Sequence, residues 1–330
     1  MTSLLSSFSL PDNIARIPAL SLFSLLLLLA AACASAGGTV DPPAGAPSRA
    51  ETPQFGGPDV SAVIITTDLA VGSNRMVFGL VNRDGMPVRA GEAKVQGVYM
   101  IPRVHQQPGQ PTGEVRAQGI AKFMRWPVGQ QGVFATRLML DKPGFWQLRV
   151  SATGAEGQTI TAQGAFEVKN TSTTPTIGQP APQSVTPTLD DVGGVANLIM
   201  ITSADPPDPD LYRLSVHTAL ASGRPLVLVF STPAFCVSAT CGPQVEIISQ
   251  VKERFQDRAN FIHVEVFKDP HLVQGGRPVG GTVPAVDEWN LPSEPWTFVM
   301  DSQGLVRDKF EQFTVAEEIE AALAEVLAEG

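Results

Sequence analysis

Basic residues are in short supply. The chain carries 23 Lys and Arg against 32 Asp and Glu, for a net charge of −9 at pH 7 and a pI near 5.0. Nucleic-acid phosphates are held by clustered cations, and no such cluster offsets this balance, so a nucleic-acid surface is excluded. Small molecules or other proteins are the partners this charge allows. Charged residues make up only 17% of the chain and hydrophobic residues 43%, which excludes a disordered chain and indicates a globular one. Cysteine is scarcer still, with three in 330 residues, so each of them has to be accounted for singly. A chain of this length has room for about two domains.

Long apolar runs are absent except near the N-terminus. There Arg16 precedes residues 17–33, IPALSLFSLLLLLAAAC, about as long as the core of an export signal and short for a membrane span. The run ends in Ala30, Ala31 and Ala32 directly before Cys33. This resembles a bacterial lipobox, with Ala30 where Leu is usual, and the resemblance implies cleavage before Cys33 and lipidation of that residue. A signal cleaved elsewhere and an uncleaved anchor helix are the alternatives. All three put the rest of the chain outside the cytoplasm, and lipidation puts it on the extracytoplasmic face of a bacterial cell membrane. Residues 1–33 are thus read as signal peptide and lipobox. Residues 34–58, rich in Gly, Pro, Ala and Ser, are read as a tether.

A second Pro- and Thr-rich stretch, residues 170–190, divides the remainder. Residues 59–169 contain about seven short apolar or alternating runs separated by turn signals such as Arg83-Asp84-Gly85 and Lys142-Pro143-Gly144. This spacing predicts a β-sandwich of immunoglobulin-like type, and PGFWQLRV resembles a strand of small extracytoplasmic sandwich domains. Met100, His105 and Met124 are soft-ligand residue types, but scattered strand methionines read as core filling. Residues 191–330 alternate in type. A helix is expected over 208–225, then the unalternating strand PLVLVF, the two remaining cysteines and a helix from about Pro243. Next come the strand ANFIHVEVF, a Gly/Pro-rich loop, and a hairpin turning at DSQG. A last helix opens with Thr314 and Glu317 as a capping box.

That order resembles the thioredoxin family over roughly residues 195–330. Cys236 and Cys241 follow a strand and precede a helix, Phe235 stands directly before the first cysteine, and Pro295 in SEPWTFVMDSQG matches the proline that opens the hairpin strand. The fold expected is therefore two domains, an all-β immunoglobulin-like sandwich followed by an α/β thioredoxin-like domain. The resemblance implies that Pro295 is cis, that it and its neighbours hold a substrate strand, and that Cys236 and Cys241 exchange disulfides with other extracytoplasmic proteins, a thiol-disulfide oxidoreductase activity needing no cofactor.

The pair departs from the family pattern in spacing, CVSATC in place of CxxC. Residues five apart on one helix point to different sides, so pairing requires a loop between them. Pro243 suits a helix's first turn and puts Cys241 at the helix start. A helix N-terminus lowers a thiol's pKa, which leaves Cys236, by its place after the strand, and Cys241, by its place on the helix, in competition as attacking thiol. The strand LVLVF offers no buried acid, and Glu294 before Pro295 would raise a nearby thiol's pKa.

Two other readings remain open. In one, the disulfide is an inert staple in a binding lipoprotein. In the other, the chain resembles the Sco-type copper chaperones, exported thioredoxin-fold proteins that bind copper through two cysteines and a histidine. His271, in a loop before Pro295, would then join Cys236 and Cys241 as a copper ligand, while His263 reads as a core or surface residue and His217 as solvent-facing on a helix.

Overall fold

The computed structural model describes residues 59–105, 112–126, 132–238 and 240–329. The expected export signal and lipobox, with Cys33, and the expected tether lie outside them. Among the described residues no helix is long and apolar enough to cross a membrane.

The first seven strands are β1 (Val60–Ile64), β2 (Gly72–Asn82), β3 (Glu92–Met100), β4 (Gly113–Arg125), β5 (Gly132–Leu140), β6 (Gly144–Thr153) and β7 (Thr159–Val168). They close into a barrel in the order β1-β2-β5-β4-β3-β6-β7. All pairs are antiparallel except the closing one, where Val60 and Ser61 of β1 run parallel to Ala162 and Gln163 of β7. Gly164 permits that closure: a Cβ placed there would lie 2.2 Å from the Ala62 carbonyl oxygen. Alternating residues of each strand fill the interior, including Met76, Phe78 and Leu80 of β2, Phe134 of β5 and Trp146 of β6.

The chain continues through α1 (Val216–Ala221), β8 (Leu226–Ser231), α2 (Cys241–Phe255), β9 (Asn260–Glu265), β10 (Val273–Gln274), β11 (Arg277–Pro278), α3 (Pro284–Glu288), β12 (Trp296–Met300), β13 (Val306–Glu311) and α4 (Ala316–Glu329). β10 and β11 form a small hairpin of their own, and the other four strands form a sheet in the order β13-β12-β8-β9. β8 is parallel to β9 and antiparallel to β12. One face carries Val227 and Val229 against Val245, Ile248 and Val251 of α2 and Ile319 and Leu323 of α4. The other carries Leu226, Leu228 and Phe230 against Val216 of α1 and Trp289 after α3. Every residue of β8 is buried, as an apolar run without alternation requires.

The helix expected over 208–225 is broken. Pro209–Tyr212 form a 3-10 turn capped by Asp208, whose carboxylate accepts from the Asp210 N–H at 3.1 Å, and α1 starts only at Val216. The Ser215 hydroxyl, which accepts from Thr186 N–H at 2.9 Å, fixes the chain between them. The capping box expected at α4 is replaced by a tertiary bond, the Thr314 N–H donating to Gln244 Oε1 at 2.8 Å.

The expected two-domain fold, an immunoglobulin-like sandwich followed by a separate α/β thioredoxin-like domain, is overturned. Strand predominates over helix among the described residues, seven of the strands close into a barrel, and the barrel and the four-stranded sheet belong to one compact unit. Inside/outside alternation is the same for a sandwich and a barrel, so the strand pattern did not distinguish them; the β1–β7 contact does. The second part is not an independent layer because its edge strand β13 is joined to the barrel by buried polar groups. Arg75 of β2, its side chain 2% exposed, donates to both Glu318 oxygens at 2.9 Å, to Glu311 O at 2.9 Å and to Phe313 O at 3.1 Å. Glu311 accepts from the Thr67 N–H and hydroxyl, both at 2.7 Å. Beside this polar contact, Val77, Met124 and Val133 on the barrel's outer face pack with Val315.

The Pro- and Thr-rich stretch is likewise held down. Asp68 accepts from the N–H groups of Thr173 and Thr174 at 3.0 Å each, and the Gly178 and Ala181 N–H groups donate to Val306 O and Gly304 O at 2.7 and 2.9 Å. Burial would raise the Asp68 pKa, but the hydroxyls of Ser172 and Thr174 and the Lys309 ammonium outweigh it and hold the carboxyl well below its usual range.

Gly164→Ala is expected to lower stability by about 1–3 kcal/mol, because the β1–β7 seam has to widen to admit a methyl group. Gly79→Ala on β2, where a Cβ meets nothing within 4 Å, should change stability little. Urea midpoints of the two variants check the difference.

Candidate functional site

β8 delivers the chain to residues 232–238, which turn, and α2 begins at Cys241. Cys236 and Cys241 form a disulfide with Cα atoms 5.9 Å apart. The spacing is met by a turn: Phe235 N–H donates to Thr232 O at 3.2 Å, and the Cys236 sulfur lies 3.2 Å from Ser238 Oγ, itself 2.7 Å from Thr240 Oγ1. Cys241 occupies the first position of α2 and is fully buried, whereas Cys236 is half-exposed and Val237 between them is 90% exposed. Ser231 at the end of β8 donates its hydroxyl to Cys241 O at 3.0 Å, which pins the helix start to the sheet. Pro243 lies in the first turn, where its missing N–H is no loss.

The Glu294–Pro295 peptide is cis, Pro295 is buried, and its carbonyl accepts from Gln312 N–H at 2.9 Å. Burial pushes the Glu294 carboxyl above its usual pKa. His271 stands exposed in the turn that follows Pro270. Both cysteine sulfurs are engaged in the disulfide, and among the described residues no three His, Cys, Asp or Glu side chains gather into a cation site. Met124 is buried on the barrel's outer face with its sulfur 3.5 Å from Arg75 Nη2, Met100 is half-buried at the end of β3, and His105 ends a short 3-10 turn. His217 is exposed on α1.

Of the buried polar groups behind the cysteine turn, only His263, read as core or surface, stood out in the sequence. Glu265, 2% exposed at the end of β9, accepts from the Ser203 N–H at 3.0 Å and hydroxyl at 2.6 Å. Ser203 Oγ in turn accepts from Ala234 N–H at 3.2 Å, so a buried carboxyl reaches the cysteine turn through one hydroxyl. Burial raises the Glu265 pKa, and the Ser203 hydrogen bonds oppose that rise. The only signal in the sequence was an acid inside the apolar run FIHVEVF. His263 in the same run is buried beside Tyr212, with Nδ1 2.7 Å from the Tyr212 hydroxyl and Nε2 3.2 Å from Ser231 O. A carbonyl only accepts, so Nε2 carries the proton and Nδ1 is the acceptor. Glu265, His263 and Tyr212 line a cavity of about 270 Å³ together with Met200 and Phe267. Phe267 meets the Phe235 ring edge-on at 6.1 Å, which places the cavity next to the disulfide turn.

No protein-family model matches the sequence, and no curated protein does. Among solved structures, part of the chain is similar to a thioredoxin-family thiol:disulfide interchange protein from Chlorobium tepidum TLS, at 17% identity and a TM-score of 0.31, over 46% of this chain and 97% of that one. Another part is similar to the cohesin module of a family 33 glycoside hydrolase from Clostridium perfringens ATCC13124, at 12% identity and a TM-score of 0.18, over 34% of this chain and 98% of that one. Both scores are low, and the chemistry open to the cysteine pair rests on its own geometry.

His263 makes stability depend on pH. Its pKa falls from 6.5 to about 4, chiefly through burial, with the hydrogen bond to Ser231 opposing the fall. The native histidine stays neutral while the unfolded one takes up a proton, so the stability it supports is complete above pH 6.5 and is lost as pH falls through 4. The loss comes to about 3 kcal/mol at 1.36 kcal/mol per pKa unit. Urea unfolding between pH 7 and 4 is expected to show this slope in the native protein and a flatter one in His263→Gln.

Proposed function

We propose that this chain is an extracytoplasmic, membrane-anchored protein that carries out thiol-disulfide exchange through Cys236 and Cys241. The observation that carries the reading is the placement of the disulfide: at a helix N-terminus, next to exposed Val237, with Cys236 only partly buried and Cys241 fully buried. A structural staple needs neither this asymmetry nor the helix end.

In the reduced protein the Cys236 thiolate attacks one sulfur of a partner disulfide. A Cys236–partner bond forms, the partner's S–S bond breaks, and its other sulfur leaves as a thiolate. Cys241 then attacks the Cys236 sulfur as a thiolate, restoring the Cys236–Cys241 bond and releasing the partner's second thiolate. The dipole and free N–H groups at the start of α2 favour negative charge on the cysteines through both steps. Half-exposed Cys236 is the attacking sulfur and buried Cys241 the resolving one. The partners are other extracytoplasmic proteins with thiols or disulfides, met at the membrane surface to which a lipid on Cys33 tethers the chain. Pro295, which precedes the β12 strand, is assigned the part of bordering the partner's backbone.

Cys241→Ser is expected to accumulate a mixed disulfide with a disulfide-bonded protein substrate, while Cys236→Ser does not; non-reducing electrophoresis after acid trapping reads this. If neither variant traps a partner and both only melt at lower temperature, the bond is a staple, one that would stabilise a six-residue loop by about 2 kcal/mol. For the anchor, Cys33→Ser is expected to move the protein from the membrane fraction to the soluble fraction of expressing bacteria and to abolish incorporation of labelled palmitate.

A further inference from the structure

α2 turns a stripe of residues inward: Cys241, Gln244, Val245, Ile248, Val251 and Lys252. Four of the six are the apolar or sulfur-bearing side chains that a helix packed on a sheet requires, and Lys252 reaches out to Asp208 and Asp210 at 3.0 and 2.9 Å. Gln244 fits neither pattern. It is fully buried, one turn along from Cys241 on the same side of the helix. Its Oε1 accepts from Thr314 N–H at 2.8 Å, yet its Nε2, with two protons to donate, has no hydrogen-bond partner. The Thr297 hydroxyl, fully buried on the β12 residue paired with Val229, also has none. An unpartnered buried amide N–H costs folding free energy, and such groups are rare enough to call for a reason.

The oxidation state of the pair supplies one. A disulfide sulfur is neutral and a weak acceptor, so a donor pointing towards it gains little. A thiolate is a charged acceptor, and hydrogen bonds to charged groups are about twice as strong as those between neutral ones. We propose that the Gln244 side-chain amide is held in reserve for the Cys241 sulfur, donating to its thiolate once the disulfide is opened and so favouring the reduced state. Thr314 commits the acceptor end: with Oε1 bound to the loop before α4, Nε2 is the end left free to donate. The inference deepens the exchange reading above and rests on the same pair. The step it modifies, with a dithiol as reductant, converts the protein disulfide and the dithiol into Cys236–SH, Cys241–S⁻, one released proton and a cyclic disulfide. Two electrons pass from the dithiol to the protein.

The test compares the native soluble chain with Gln244→Met and Gln244→Glu by equilibration in dithiothreitol redox buffers and thiol trapping, alongside thermal melting and a pH titration of the Cys241 thiol. Gln244→Met removes donor and acceptor; Gln244→Glu keeps the acceptor for Thr314 and removes the donor. Both are expected to shift the equilibrium towards the disulfide about tenfold, or about 30 mV for a two-electron couple, and to raise the Cys241 pKa. A lower melting temperature in Gln244→Met with an unchanged equilibrium in both variants would mean that Gln244 only tethers Thr314, and would overturn the proposal. Should Gln244→Met fail to fold, Gln244→Glu decides alone, because it retains the tertiary bond. Equilibration with a small dithiol does not require a protein partner. A chain that traps no partner therefore fails the exchange reading while the Gln244 shift stands or falls on its own.

Discussion

The burial of β8 on both faces is the constraint on which the rest of this structure depends. A strand covered by α2 and α4 on one side and by α1 and the Trp289 segment on the other has no room for a polar side chain, and its sequence, LVLVFS, supplies none before Ser231. All the chemistry is thereby displaced to the strand's C-terminal end. Ser231 is the first side chain there that can make a polar contact, and it uses its hydroxyl to anchor the start of α2. The cysteine turn is suspended between that anchor and Ser203, and the helix dipole points at it because α2 must run back along the sheet to bury Val245, Ile248 and Val251.

The same displacement explains why the polar groups near the pair come from elsewhere in the chain. A buried acid cannot sit on β8, and Glu265 reaches the region from the neighbouring strand through Ser203. Gln244 comes from the helix, and the loop before α4 holds it through Thr314 N–H. Each of these contacts joins residues more than 60 apart in sequence, a separation at which no local pattern reports contact.

The junction between barrel and sheet follows another rule. Arg75 is buried there with its charge met by Glu318 and its remaining donors by two backbone carbonyls, so the desolvation of a guanidinium is offset by directed hydrogen bonds. Asp68 is treated likewise, with hydroxyls, backbone N–H groups and ammonium groups around it. Junctions of this kind need a fixed geometry, since a displaced partner would leave a buried charge unmet. This is a physical reason for residues 170–190, so rich in Pro and Thr, to lie hydrogen-bonded along the structure.

Much of the local structure was legible in the sequence because it depends on local physics. Period-two alternation marked the strands of residues 59–169, the apolar run marked β8, DSQG marked the β12–β13 turn, and the stripe of Val245, Ile248 and Val251 marked the inner face of α2. The two cysteines and their turn could also be read, since residues five apart cannot be bridged on a continuous helix. What the sequence left undecided depended on which distant surfaces meet. Closure of the barrel rests on a backbone approach at Gly164, invisible to alternation because a sandwich shows the same period. The joining of barrel and sheet rests on Arg75 and Asp68, which look in sequence like ordinary surface charges. The break in the 208–225 helix and the loss of the expected cap at Thr314 both arise where a tertiary hydrogen bond outcompeted a local one. Strand and helix positions follow from neighbours along the chain; closure, docking and the polar surroundings of the disulfide follow from neighbours in space.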